Sequence, residues 1–119
     1  MDYSKNLVNT IVEAIQDKKG RGITVADLTH IDGSICKYFV ICQGNSPSQV
    51  NAISESVYLF AKKKMNDVPL HEAGLNNLQW VAIDYGDVAV HIFLPETREF
   101  YDLDHLWEDA DVKQIPDID

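Results

Sequence analysis

The sequence is poor in the residues by which small proteins staple themselves or hold metals. It has two cysteines, Cys36 and Cys42, which lack CxxC spacing and lie in or beside apolar runs. Buried free thiols are therefore expected, with neither a disulfide framework nor a redox role. The four histidines, His30, His71, His91 and His105, fall in four separate segments without HxH or HExxH spacing. That scatter argues against a zinc site, and no metal or other cofactor is expected. No run approaches the ~18–20 apolar residues of a membrane span. The first residues carry no cationic stretch leading into an apolar one, so a cytoplasmic protein is expected. Internal repeats are also missing.

Cations are scarce too. Ten Lys and Arg face nineteen Asp and Glu, for a formal net charge of −9. The imbalance is local: residues 1–95 hold ten acids against eight bases, whereas residues 96–119 hold nine acids against Arg98 and Lys113 alone. A field of that sign repels phosphate backbones and attracts basic partners, and salt screens it beyond ~10 Å. Direct nucleic-acid readout is disfavoured. Lys62, Lys63 and Lys64 read as solvated charges complementing the end of a helix, not as a nucleic-acid patch.

What remains is an ordinary globular composition, with 45% hydrophobic residues in a chain of 119, enough for one continuous core without cross-links. Leu7, Val8, Ile11, Val12 and Ile15 are spaced as one face of an amphipathic helix over residues 3–19, which Gly20 ends with a left-handed cap. Residues 23–28 form a first strand. Residues 38–42, YFVIC, are apolar on both faces, as a central strand requires. Ser46, Pro47 and Gln49 spell the start of a second helix, which runs to about Met65. Residues 66–79 are a connecting loop with a short strand near residues 68–70.

The stretch around which the rest is organised is WVAIDYGDVAVHIF, residues 80–93. Two β-branched and aromatic runs flank Gly86-Asp87, which suits a two-residue turn with positive φ at its first position. That turn sets Trp80 opposite Phe93, Ala82 opposite His91, Asp84 opposite Ala89 and Tyr85 opposite Val88. One face then shows Val81, Ile83, Tyr85, Val88, Val90 and Ile92, a core face. The other gathers Trp80, Asp84, His91 and Phe93 and is the candidate binding surface. His91 reads most simply as a half-buried imidazole bonded to a neighbour such as Asp84. After Pro95, residues 98–107 form a helix with Phe100, Leu103 and Trp107 turned inward. Residues 109–119, with Asp109, Asp111, Asp117 and Asp119, read as an acidic flexible tail beyond a domain of residues 1–108. The fold class is a single α/β domain with a mixed β-sheet packed by helices.

Catalysis finds little support. Gly33-Ser34 before a buried strand is faintly like the nucleotidyltransferases, in which two carboxylates on the next strand hold Mg²⁺. Here that strand, KYFVICQG, has no carboxylate. Asp84 and Asp87 flank a turn, where carboxylates are mostly structural, and Ser34, Ser46 and Ser54 lack a nucleophile elbow.

Four stretches, Tyr38 to Cys42, Gly44-x-Ser46-x-x-Gln49-Val50, Trp80 to His91, and Arg98 to Trp107 as REFYDLDxLW, closely resemble the ribosomal silencing factors, also called Iojap or YbeB proteins. The resemblance spans roughly residues 5–108. It implies a fold similar to a nucleotidyltransferase domain without its catalytic residues, and a non-enzymatic translation repressor. It also implies binding to the large ribosomal subunit through its ribosomal protein fourteen, blocking subunit joining under nutrient limitation. Mapped onto this chain, the contact surface would include Trp80, Asp84, Asp87, His91, Arg98, Tyr101 and Leu106. A homodimer stays open. The competing readings are a residual nucleotide-binding transferase and a generic dimeric adaptor. Trp80 reads as an interface residue because it shares its face with Asp84 and His91, and Trp107 as core because it aligns with Phe100 and Leu103.

Overall fold

A computed structural model describes residues 2–105 and 110–118. Helix α1 (Tyr3–Asp17) leads to β1 (Arg21–Asp27), β2 (Tyr38–Gln43), α2 (Pro47–Met65), β3 (His71–Ala73), β4 (Trp80–Asp84), β5 (Val88–Phe93), α3 (Pro95–Tyr101), a 3-10 turn (Leu103–His105) and β6 (Asp111–Ile115). The described strands make one mixed sheet in the order β3-β4-β5-β2-β1-β6, with β2 and β5 parallel and the other pairs antiparallel. The expected α/β architecture is the one observed.

The doubly apolar YFVIC run lies in the interior of the sheet, between β5 and β1, as its composition requires. α1 and α2 cover one face and seal the main core of Leu7, Ile11, Ile15, Val40, Val50, Ile53, Val57, Val81, Val90 and Ile92. Between them the two helices meet at their ends. Ser46 caps α2 by accepting from the Gln49 amide at 3.1 Å, while the Gln49 carboxamide donates to the Lys18 and Lys19 carbonyls at 3.2 and 3.1 Å. Ser56 adds a buried hydrogen bond to the Ala14 carbonyl, 2.8 Å. Lys64 pairs with Glu13 at the surface. Cys36 and Cys42 are buried free thiols, and burial pushes the Cys42 thiol up to about 12.

The hairpin register is the expected one: Trp80↔Phe93, Ala82↔His91 and Asp84↔Ala89, closed by the Tyr85 amide on the Val88 carbonyl at 2.9 Å. Gly86 has φ +90 at the first turn position, where a side chain would be strained. Every residue assigned to the core face is buried.

Elsewhere the structure departs from expectation. Lys19, not Gly20, takes the left-handed conformation (φ +58) after α1, and Gly20 is small because a Cβ there would run into Ile15. The short strand falls at 71–73 rather than 68–70. The last helix starts at Pro95 and ends at Tyr101, because Asp102 turns left-handed (φ +51). Phe100 is consequently exposed instead of turned inward. Trp107, assigned to the core, lies outside the described residues.

Residues 111–115, read from composition as part of a flexible tail, form β6. It pairs antiparallel with β1 from Ile23↔Ile115 to Asp27↔Asp111, and Asp117 accepts from the Gly22 amide at 3.0 Å and pairs with Arg21. Strand pairing satisfies backbone groups whatever the side chains, so a strand with four of its five residues exposed carries no burial signature. No helix among the described residues is long and apolar enough to cross a membrane.

Candidate functional site

On the sheet face away from α1 and α2, a second and smaller core collects Ala26, Leu28, Cys36, Phe39, Ile41 and Phe93. It is only partly roofed. Strand alternation puts Trp80, His91 and Phe93 on this face, and the parallel register of β2 with β5 (Phe39↔Ala89, Ile41↔His91) brings Phe39 beside them. α3 then returns over the end of β4 and β5 and lays Tyr101 against Trp80.

The outcome is a contiguous aromatic group. Phe39 stacks on His91 with ring centres 4.5 Å apart and planes at 21°, and Trp80 packs on Phe93 at 5.1 Å and on Tyr101 at 4.7 Å. The Trp80 indole N–H donates to His91 Nδ1 at 2.8 Å. An imidazole nitrogen that accepts is unprotonated, so the bond leaves the His91 proton on Nε2. Burial lowers the His91 pKa to about 4, which keeps the ring neutral and the acceptor in place at neutral pH. Exposure rises along the group: Phe39 and Phe93 are buried, Trp80 and His91 are half-buried, and Tyr101 is 51% exposed.

The partner of His91 is therefore Trp80 and not Asp84. Asp84 is exposed at the far end of β4 and accepts from the Gly86 amide at 2.7 Å, holding its own turn. Asp87 lies in the same turn, accepting from the Ser4 hydroxyl at 2.9 Å and facing Lys37 at 3.9 Å. Asp84 lies four steps along the strand from Trp80, or ~13 Å at the strand rise. The six described candidates thus do not converge on one point: Trp80, His91 and Tyr101 cluster, and Asp84 and Asp87 form a separate acidic corner.

Arg98 takes a third place. Its guanidinium donates to the Asp104 carboxylate through Nη2 at 2.8 Å and Nε at 3.1 Å, to the Gly22 carbonyl at 2.7 Å, to the Gln43 side chain at 3.2 Å and to the Thr24 hydroxyl at 3.3 Å. Only 14% of the side chain is exposed. Arg98 ties α3 to β1 and β2, and its hydrogen bonds hold the Asp104 carboxyl below the usual carboxylate range. Leu106 lies outside the described residues.

Sequence reasoning missed two features of this surface, the stacking of Phe39 beneath His91 and the exposure of Phe100. The first was within reach, because a parallel pairing of residues 38–42 with the hairpin puts Phe39 and His91 on one face. The second depends on where α3 stops, and Asp102 gives no strong stop signal. Chemically the group offers flat apolar area and a fixed edge. The His91 nitrogen inside it is already engaged by Trp80, and no three His, Cys, Asp or Glu side chains among the described residues are grouped as metal ligands.

Comparison with known proteins agrees with this architecture. The family model described as "Ribosomal silencing factor during starvation" matches residues 1–119. A ribosomal silencing factor of Halalkalibacterium halodurans is 33% identical over 115 residues, covering 97% of each chain, and that of Bacillus subtilis is 34% identical over 111 residues, covering 93% of this chain and 92% of its own. A crystal structure of a Chromobacterium violaceum protein, 32% identical, superposes with a TM-score of 0.82 over 90% of this chain and 87% of that one. The chain belongs to the ribosomal silencing factor family.

Proposed function

We propose that the protein is a non-enzymatic repressor of translation in the cytoplasm, which docks on the large ribosomal subunit through ribosomal protein fourteen and so blocks subunit joining under nutrient limitation. The observation that carries this reading is Trp80, an aromatic side chain that stays partly open to solvent while its indole N–H is fixed on His91 and its ring lies against Tyr101 and Phe93. A large side chain locked before binding loses little entropy on docking, which is how tryptophan and tyrosine come to dominate interface energies.

Charge supports the same partner class. The net charge of −9 and the acidic corner of Asp84 and Asp87 suit a basic ribosomal protein and repel bare phosphate. A non-catalytic role is supported by β2, which is buried and carries no carboxylate where a metal-dependent transferase of similar topology needs two. In this reading Trp80, His91 and Tyr101 anchor the contact, Asp84 and Asp87 flank it, Arg98 serves it indirectly by holding α3, and Leu106 joins it on the family resemblance.

The test is cosedimentation of wild-type protein with purified large subunits, followed by addition of small subunits. Binding with loss of subunit joining is expected, and Trp80→Ala should weaken binding by ~2 kcal/mol or more and relieve the block in proportion. Joining that proceeds unhindered at saturating protein would refute the mechanism.

A further inference from the structure

α3 carries an aromatic side chain that the contact surface described above does not use. Phe100 is 81% exposed, yet it is not isolated, because its ring stands edge-on to Tyr101 with centres 5.0 Å apart. Tyr101 in turn lies against Trp80, so the three rings form one continuous strip from the sheet to the outer side of α3. A single exposed apolar residue is ordinary, whereas a connected aromatic strip is a feature of recognition surfaces. Beside the strip lies an open cleft of about 320 Å³, lined by Gln79, Leu94, Glu96, Thr97, Phe100 and Tyr101.

The charge around this cleft is of one sign. α3 has one cation, Arg98, and it is turned inward onto Asp104, Gly22 and Gln43. Glu96 is exposed and lines the cleft, Glu99 and Asp102 are exposed on the neighbouring side of α3 beside Arg98, and His105 is paired with Asp102. The exposed Phe100 ring beside the Glu96 carboxylate fits an aliphatic side chain whose neighbours are lysine or arginine, and it disfavours an acidic or phosphate-bearing ligand.

We infer that Phe100 and this cleft form a second anchor, taking an aliphatic side chain flanked by basic residues on the ribosomal protein partner. The inference rests on the docking reading above and adds the partner's local chemistry to it. Phe100 makes its contact outside the fold, so its removal spares the sheet.

The experiment compares cosedimentation of wild type, Trp80→Ala, Phe100→Ala, Phe100→Leu and the double variant Glu96→Lys/Glu99→Lys with purified large subunits, with folding checked by circular dichroism. Phe100→Ala is expected to weaken binding about tenfold, as loss of an interface anchor does. Phe100→Leu should recover part of that loss. The double charge reversal should weaken binding at low salt, and by less as salt is raised. If Trp80→Ala loses binding and Phe100→Ala does not, the second anchor is refuted while the docking reading stands. If both variants bind as wild type does, both fall together. Sedimentation of the free protein covers the remaining alternative: a Phe100→Ala variant that changes oligomeric state with unchanged subunit binding would assign the strip to a second copy of the chain and overturn the inference.

Discussion

The two faces of the β4–β5 hairpin share a backbone and differ in what covers them. Toward α1 and α2, Val81, Ile83, Val88, Val90 and Ile92 are sealed, with at most 2% of any of them exposed. Toward the other side, Phe93 is equally buried, but Trp80 and His91 one step away are half-buried, and Tyr101 leans over them from α3. The alternation of a strand allows this division, because each residue serves one face only. One side can be spent on stability while the other keeps aromatic surface in reach of a partner.

The comparison breaks most visibly on the sealed face. Ile92→Ala should cost about 2–5 kcal/mol of stability, since a buried isoleucine loses its transfer energy and leaves a cavity between helices that cannot collapse onto it. Its large-subunit affinity, measured on the folded fraction, should match wild type. Urea denaturation read beside cosedimentation separates the two quantities. A variant that remained stable but bound weakly would mean that the two faces are coupled rather than divided.

The open face gives the reciprocal result. Trp80→Ala should lose ~2 kcal/mol or more of binding while unfolding later in urea than Ile92→Ala, because its ring is only partly buried. His91 then keeps an acceptor at Nδ1 that water reaches through the vacated space. If Trp80→Ala proved the less stable of the two variants, Trp80 would be core packing, and the division between faces would be wrong.

Arg98 sharpens the comparison by showing that one resemblance-mapped residue belongs to neither surface. Arg98→Met keeps the aliphatic stem and removes five hydrogen bonds that reach Asp104, Gly22, Gln43 and Thr24. A cost of about 1–3 kcal/mol in stability is expected, from acceptors left without their charged donor. Binding should fall only as far as α3 loosens and carries Tyr101 away from Trp80, so a large binding loss without destabilisation would return Arg98 to the contact surface.

What could be read from the sequence was whatever local chemistry decides. Gly86 and Asp87 set the turn and hence the register of the whole hairpin, Ser46 and Gln49 marked the start of α2, and YFVIC declared a strand covered on both sides. What stayed hidden depends on contacts far apart in the chain. β6 is held by main-chain pairing to β1, 84 to 92 residues away, and its DVKQI sequence has almost nothing to bury. Arg98 reaches Gly22 and Thr24 across the sheet. The partner of His91 turned on rotamers as much as on register: Trp80 is a diagonal neighbour reached by a long side chain, while Asp84 had a nearer donor in the Gly86 amide.

The smallest expected effect lies in the bond that fixes the open face, and it is read through pH. His91 in the folded protein sits near pKa 4, against an ordinary value of 6.5, because burial disfavours its charged form. Between those values the unfolded chain binds a proton that the folded one does not, so stability falls as pH falls through about 6.5 towards 4 and is fully present above that window. From pH 7 to pH 5 the loss should be about 1–2 kcal/mol, the size set by a shift of this kind. His91→Phe removes the titrating group and should flatten that segment of the profile, leaving the carboxylates to shape it at lower pH. It also removes the acceptor of the Trp80 indole N–H, so at pH 7 it should weaken large-subunit binding by less than Trp80→Ala does, since the ring remains but is no longer held. Urea midpoints at pH 5 and 7 for wild type and His91→Phe decide the matter. An identical drop in both proteins would show that other groups set the slope and that His91 titrates alike in the folded and unfolded chain, so the neutral imidazole acceptor would not be what positions Trp80.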